Sequence, residues 1–167
     1  MTVYVSPEGL KKLQDELVRH ETALRDLRRD KTVAYTDSGD TWHDNPYFNK
    51  LQQDEEGLAK KIADLQRMIG EARIFVAEPR SIDKVRIGSI VRFSRTYEKT
   101  GEQTDEVWEI VGFGETDVEK NRAGYNSPMA QALMGMIPGE TKNGTLPKGL
   151  VEYEVIELYS DWDSVPR

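Results

Sequence analysis

The residues best equipped for chemistry lie in one short stretch, "SGDTWHDNPYF", which runs from Ser38 to Phe48. Asp40 and Asp44 stand four apart, Asp37 precedes them by one helical turn, and Trp42 sits between the pair. Carboxylates accept protons and offer hard oxygen atoms to cations. The same residue types have ordinary duties in a turn: Asp37-Ser38-Gly39 is helix-ending chemistry, and Asp44-Asn45-Pro46 is helix-starting chemistry. Residue types alone leave both readings open. Neither reading accounts for the tryptophan, since a turn needs Asp and Gly for backbone reasons but has no use for an indole.

Other chemistries are excluded or weak. The 167-residue chain has no cysteine, which removes disulfides, thiolate metal sites and cysteine nucleophiles. His20 is alone at a core-facing position, where a histidine is usually a packed interface residue, and nothing nearby completes a metal site. A net charge of −7 argues against a free-standing, sequence-independent DNA binder. Charge is nonetheless uneven. From Arg19 to Lys31 there are five basic residues against three acids, and from Thr36 to Asp44 there are three acids and no Lys or Arg. A basic collar at Arg25, Arg28, Arg29 and Lys31 therefore adjoins an acidic tip at 37–44. As a plain surface feature, the collar is a solvated helix face with Asp26 and Asp30 pairing to Arg29. The opening "MTVYVSPEGL" lacks the basic and apolar regions of a signal peptide, and no run is long enough to span a membrane. The expectation is a soluble, cytoplasmic protein.

Two helices must hold the tip. Ser6-Pro7-Glu8 supplies a cap, a first-turn proline and a favourable charge. Leu10, Leu13, Leu17, His20, Leu24, Leu27, Lys31 and Ala34 then alternate steps of three and four, the signature of a coiled-coil seam. Asn45-Pro46 opens a second helix with a seam through Tyr47, Leu51, Glu55, Leu58, Ile62, Leu65, Ile69 and Ala72. Two matched seams joined by a short turn predict an antiparallel hairpin about 45 Å long, apolar at its base and polar near its tip.

The texture changes after Ala77-Glu78-Pro79-Arg80. "VRIGSIVRFSRTY", "DEVWEIVGF" and "VEYEVIELYSDW" alternate apolar and polar residues in the manner of strands. Ser127-Pro128 starts a short helix through Met134, and "KNGTLPKGL" is expected to turn a hairpin at Asn-Gly. Phe93 and Trp108 are expected in the core of that sheet. The predicted fold class is α+β: a helical hairpin over 1–77, a linker over 78–84, and over 85–167 an antiparallel sheet with one short helix.

The order of "SPEGLKKLQDEL" (6–17), "ARI" (72–74), "IVG" (110–112), "YNSPMAQALMGMIPGE" (125–140) and "VEYEVIEL" (151–158) resembles the Gre family of bacterial transcript-cleavage factors. The resemblance implies an FKBP-like second domain that binds bacterial RNA polymerase, with Ser127, Pro128 and Met129 as the contact; Ser127-Pro128 also serves as a plain helix cap. It implies a monomer with no enzyme activity and no cofactor of its own. The hairpin would enter the polymerase secondary channel, where Asp40 and Asp44 help hold a magnesium ion shared with the active centre. The polymerase would then cleave its own backtracked RNA, and the collar would contact RNA near the 3′ end. The family tip reads Gly-Asp, two residues, then an acid and Asn. Here Thr41-Trp42-His43 make three residues between the acids, and Pro46-Tyr47 replaces the usual continuation. That departure motivates a second reading, a channel-binding regulator that slows polymerase without promoting cleavage. A prolyl isomerase, suggested only by the implied fold, finds no apolar proline pocket in the sequence.

Overall fold

The structure, a computed structural model, describes residues 2–147 and 149–166, with the side chain of Asp40 outside the description. Contacts divide the chain into two compact units: Leu10–Ala72 make one, and Val3–Gly9 with Arg73–Arg167 make the other.

The first unit is built from helix α1 (Pro7–Ser38) beyond its first turn and helix α2 (Pro46–Gly70), with a six-residue 3-10 turn (Gly39–Asp44) between them. The cap expected at Ser6 forms, its Oγ accepting the Gly9 N–H at 3.0 Å. Every seam position expected on α1 is buried or half-buried, while its neighbours are largely exposed. The helices run antiparallel, since Lys31 meets Glu55 while Glu21, further toward the base, meets Gln66. One seam residue is corrected. Tyr47 is 55 % exposed and Phe48, at 6 %, takes the place expected for it. The reason is periodic: 47 to 51 to 55 takes two steps of four, whereas 48, 51, 55, 58 and 62 alternate as a helix seam requires.

In the second unit, β3 (Ile90–Tyr97), β4 (Gln103–Val111), β5 (Arg122–Gly124), β6 (Thr141–Leu146) and β7 (Gly149–Tyr159) form one sheet in the order β5-β4-β3-β7-β6. Its pairs are antiparallel except β4 with β5, which makes the sheet mixed. Strand β7 shows the expected alternation, with Val151, Tyr153 and Val155 at 0 % exposure and Glu152, Glu154 and Ile156 facing out. Phe93 and Ile110 pack with them against Ala130 and Leu133 of the short helix α3 (Pro128–Leu133). Trp108 is only half-buried and lies at the margin of this core, its indole N–H donating to Glu106 at 2.8 Å.

Two further features depart from the pattern expected. Asn143-Gly144 lie inside β6, and the register closes at Leu146 against Gly149, so the chain does not reverse at Asn-Gly. Gly144 serves packing instead: a Cβ there would stand 2.9 Å from the Tyr153 ring. The second is an additional two-stranded sheet, formed by β1 (Val3–Val5) and β2 (Ala72–Ile74). Beside it the buried Glu115 accepts hydrogen bonds from Ser6 N–H, Ser6 Oγ–H and Gly112 N–H, and a Cβ at Gly9 would collide with its carboxylate. Arg80, within the segment read as a linker, donates to Gly88 O, Glu78 and Glu109, each at 3.0 Å.

Candidate functional site

The tip is a small folded object. Helix α1 continues to Ser38, Gly39 adopts a left-handed φ of 53° that favours glycine, and the chain then winds as a 3-10 turn to Asp44. Thr41 departs from helical geometry within that turn, at φ −101° and ψ 15°. Asn45 caps α2, its side-chain oxygen accepting Tyr47 N–H at 2.9 Å and Phe48 N–H at 3.4 Å, with Pro46 in the first helical turn.

The same asparagine ties the two helices together. Its Nδ2 donates to Ser38 Oγ at 2.6 Å, and that hydroxyl donates onward to Ala34 O at 2.7 Å. Thr41 Oγ1 donates to Ser38 O at 2.8 Å, Asn45 N–H to Trp42 O at 3.2 Å, and Asn49 Nδ2 to His43 O at 3.3 Å. These bonds tie the backbone of the turn to both helices.

Trp42 fills the space these bonds enclose. Its ring centroid lies 5.0 Å from Phe48 and 5.6 Å from Tyr35, and 4.3 Å from its neighbour His43. Ala34, Phe48 and Leu51 are buried beneath it, and Leu27 closes the cluster on the base side. The tip thus has its own aromatic core, which offset and edge-on ring contacts favour. Tyr35 and Phe48 give no sign of this duty in the sequence, because their partnership exists only once the chain has reversed.

Below the rings lies a charged clasp. Lys31 Nζ and Arg28 Nε each reach Glu55 at 2.8 Å, and Lys31 also stands 5.3 Å from the Phe48 ring. The hydrogen bonds from Lys31 and then Arg28 hold the Glu55 carboxyl below its ordinary range. Lys31 and Glu55, expected as polar seam positions, are therefore partners across the seam.

This clasp divides the basic collar. Arg28 and Lys31 are committed within the hairpin. Arg29 is highly exposed and touches Asp26 at 3.9 Å and Asp30 at 3.8 Å, the loose surface pairs expected from sequence. Arg25 is exposed and pairs with no described residue. Helical spacing puts Arg25 and Arg29 on one face, away from the seam.

Of the acids, Asp44 is exposed at the end of the turn, and no described group donates to its carboxylate. Asp40 has its backbone in the 3-10 turn, and its side chain lies outside the described residues. Asp37 is exposed on the last turn of α1 and lines an open groove with Asp30, Val33 and Tyr47. His20 stands 3.6 Å from Glu16 on its own helix. Among the described residues, no three His, Asp or Glu side chains converge as metal ligands.

In the second unit, Ser127 caps α3, its Oγ accepting Ala130 N–H at 3.2 Å, and Pro128 is exposed. Met129 is half-buried against the sheet core, so only part of its side chain is available at the surface. No described helix is long and apolar enough to cross a membrane.

Comparison with known proteins identifies the family. Residues 79–160 match the family described as transcription elongation factor, GreA/GreB, C-terminal. The transcription elongation factor GreA of Caldanaerobacter subterraneus subsp. tengcongensis is 31 % identical over 157 residues, covering 93 % of this chain and 96 % of that protein. GreA of Thermoanaerobacter pseudethanolicus is 28 % identical over the same length, again with 93 % and 96 % covered. The solved structure of Thermus aquaticus Gfh1 is 22 % identical, covers 95 % of this chain and 98 % of its own, and superposes with a TM-score of 0.42. The chain belongs to the GreA/GreB family of transcription elongation factors.

Proposed function

We propose that this chain binds bacterial RNA polymerase and stimulates the polymerase to cleave its own backtracked RNA. The observation that carries the proposal is the form of the tip: a hydrogen-bonded turn at the end of two long helices, presenting the Asp44 carboxylate to solvent with no partner among the described residues. Membership in a family of transcription elongation factors supports the polymerase as the partner.

Asp44, with Asp40, would hold a magnesium ion jointly with the active centre of the polymerase. The donor set fits that role, because magnesium takes one or two protein carboxylates and fills its remaining positions with water and phosphate oxygens. Such an ion supplies charge neutralisation at the phosphodiester and a hydroxide nucleophile near neutral pH. The chain contributes position: the folded turn holds Asp44 and the backbone of Asp40 at the end of a long reach. Arg25 and Arg29 have the freedom to meet RNA phosphates near the 3′ end, whereas Arg28 and Lys31 would first have to leave Glu55. Pro128, with the exposed parts of Ser127 and Met129, forms the surface offered to the polymerase. The chain is then a monomeric cytoplasmic factor without an active site of its own.

A second reading rests on the tip spacing. The 3-10 turn accommodates one residue more between the acids than the family pattern has, and a misplaced carboxylate would leave a factor that occupies the channel and slows nucleotide addition. The test is release of the 3′ RNA fragment from stalled, backtracked polymerase. Faster release than with polymerase alone supports the first reading. Unchanged release with slower elongation supports the second, and no effect on either rejects both.

A further inference from the structure

We infer that Trp42 is a positioning residue: its ring, seated on Phe48 and Tyr35, holds the backbone that carries Asp44 in the conformation that places the carboxylate at the shared metal. This rests on the proposed function.

The extra residue between the acids changes where Asp44 points. Side chains of a 3-10 helix recur every three residues, so an acid displaced from the third to the fourth position turns about 120° away around the axis. A regular turn would therefore aim Asp44 elsewhere. The turn observed is not regular, because Thr41 leaves helical geometry immediately before Trp42. Something must stabilise that irregular step against the many conformations open to an exposed loop.

Trp42 is the group placed to do so. Among the described side chains of residues 39–44, it alone is not exposed. Its ring meets Phe48 at 5.0 Å and Tyr35 at 5.6 Å, on α2 and α1 respectively. Its carbonyl accepts the N–H of Asn45, the residue that follows Asp44 and caps α2. The two residues between Trp42 and that cap, His43 and Asp44, are thus fixed at both ends. With the ring removed, the amide clasp of Asn45 and the Thr41 Oγ1–Ser38 O bond remain, but no described side chain of the turn packs against both helices. The Asp44 carboxylate would then sample positions of which few complete the metal site.

The test uses the full chain with Trp42→Ala and Trp42→Phe in backtracked elongation complexes. Three quantities are read: the magnesium concentration for half-maximal RNA cleavage, the affinity for polymerase by competition, and amide exchange of the free protein. For Trp42→Ala we expect the half-maximal magnesium concentration to rise roughly tenfold, since misplacing a positioned group by an ångström costs up to about a hundredfold in rate. Polymerase affinity should hold, and exchange should quicken at 41–45 while residues 10–24 keep their protection. Trp42→Phe, which restores a ring, should stay within about twofold of the parent, as a retained ring contact predicts.

Unchanged magnesium dependence in Trp42→Ala overturns the inference. So does a loss of polymerase affinity that matches the loss of cleavage, because the indole would then be a contact surface. If the parent protein releases no more RNA than polymerase alone, the proposed function falls and the metal-placing role falls with it. The exchange data still decide the structural half in that case: unchanged exchange in Trp42→Ala shows that the ring holds nothing.

Discussion

The aromatic cluster of the tip and the core of the sheet solve the same packing problem at different scales. In the sheet unit, Phe93, Tyr153, Ile110 and Leu133 are all at 0 % exposure, with neighbours on three strands and a helix. At the tip, Phe48 and Leu51 are buried at 6 % and 8 %, and the rings above them, Trp42 and Tyr35, are partly open to water. The charged groups repeat the contrast. Glu109 is 10 % exposed in its side chain and is held by Arg80 at 3.0 Å and Arg122 at 3.4 Å, whereas Glu55 is 20 % exposed and its partner Arg28 is 60 % exposed. A sheet domain can bury its determinants deeply. A narrow hairpin cannot, so it fixes its end with a few rings, a clasp and a net of short hydrogen bonds. The difference separates a unit built for stability from one built for presentation.

Four substitutions probe that contrast, with effects that decrease in order. Phe93→Ala should destabilise the sheet unit by about 4 kcal/mol through the cavity it leaves. Denaturant unfolding measures the loss, and hydrogen exchange should place it in β3 and β7 rather than in the hairpin. Glu109→Ala should cost about 3 kcal/mol in the same measurement, because Arg80 and Arg122 both lose its buried carboxylate and Arg80 keeps only the exposed Glu78. Phe48→Ala should cost about 2 kcal/mol, below the usual range for a buried ring, since the open cluster can relax around the gap. Its exchange signature should be confined to the tip and adjacent turns. Equal spread of the Phe48→Ala effect through the sheet would break the distinction between the two regions.

Glu55→Gln should have the smallest effect, below about 1 kcal/mol, as a partly exposed ion pair warrants. Its value lies in the pH dependence. The folded-state pKa of Glu55 is lowered from its ordinary 4.5 by Lys31 and Arg28. The stabilisation is therefore fully present above that ordinary value and lost as pH falls below it through the depressed one. Thermal unfolding of the hairpin should weaken over that acid window in the parent protein and weaken less in Glu55→Gln.

Much of this molecule was legible in its sequence, for reasons that are local. The α1 seam could be read because helical period and burial coincide, and both Asn45-Pro46 and Ser127-Pro128 act as caps because capping is decided within a few residues. What escaped depends on chain reversal or on distant partners. Trp42 found Phe48 and Tyr35 only after the helices were brought side by side. Asn143-Gly144 carried a turn signal that was overridden, because Gly144 is required beneath the Tyr153 ring. Glu115 gave no sign in sequence that it would be buried and hydrogen-bonded to Ser6, more than a hundred positions earlier. In the candidate site, the acids and the collar are expectations, the acids drawn from the family resemblance, and the division of the collar by Glu55 became visible only across the seam.

We propose that the tip carboxylates complete a metal site on the polymerase, and RNA 3′ fragment release from backtracked complexes across a magnesium titration tests this. The parent protein should accelerate release over polymerase alone. Asp44→Ala and Asp40→Ala should each lose at least about tenfold of that acceleration, as removal of a ligand from a positioned site implies, while still competing for polymerase. Equal release by the parent protein, both variants and polymerase alone would contradict the account.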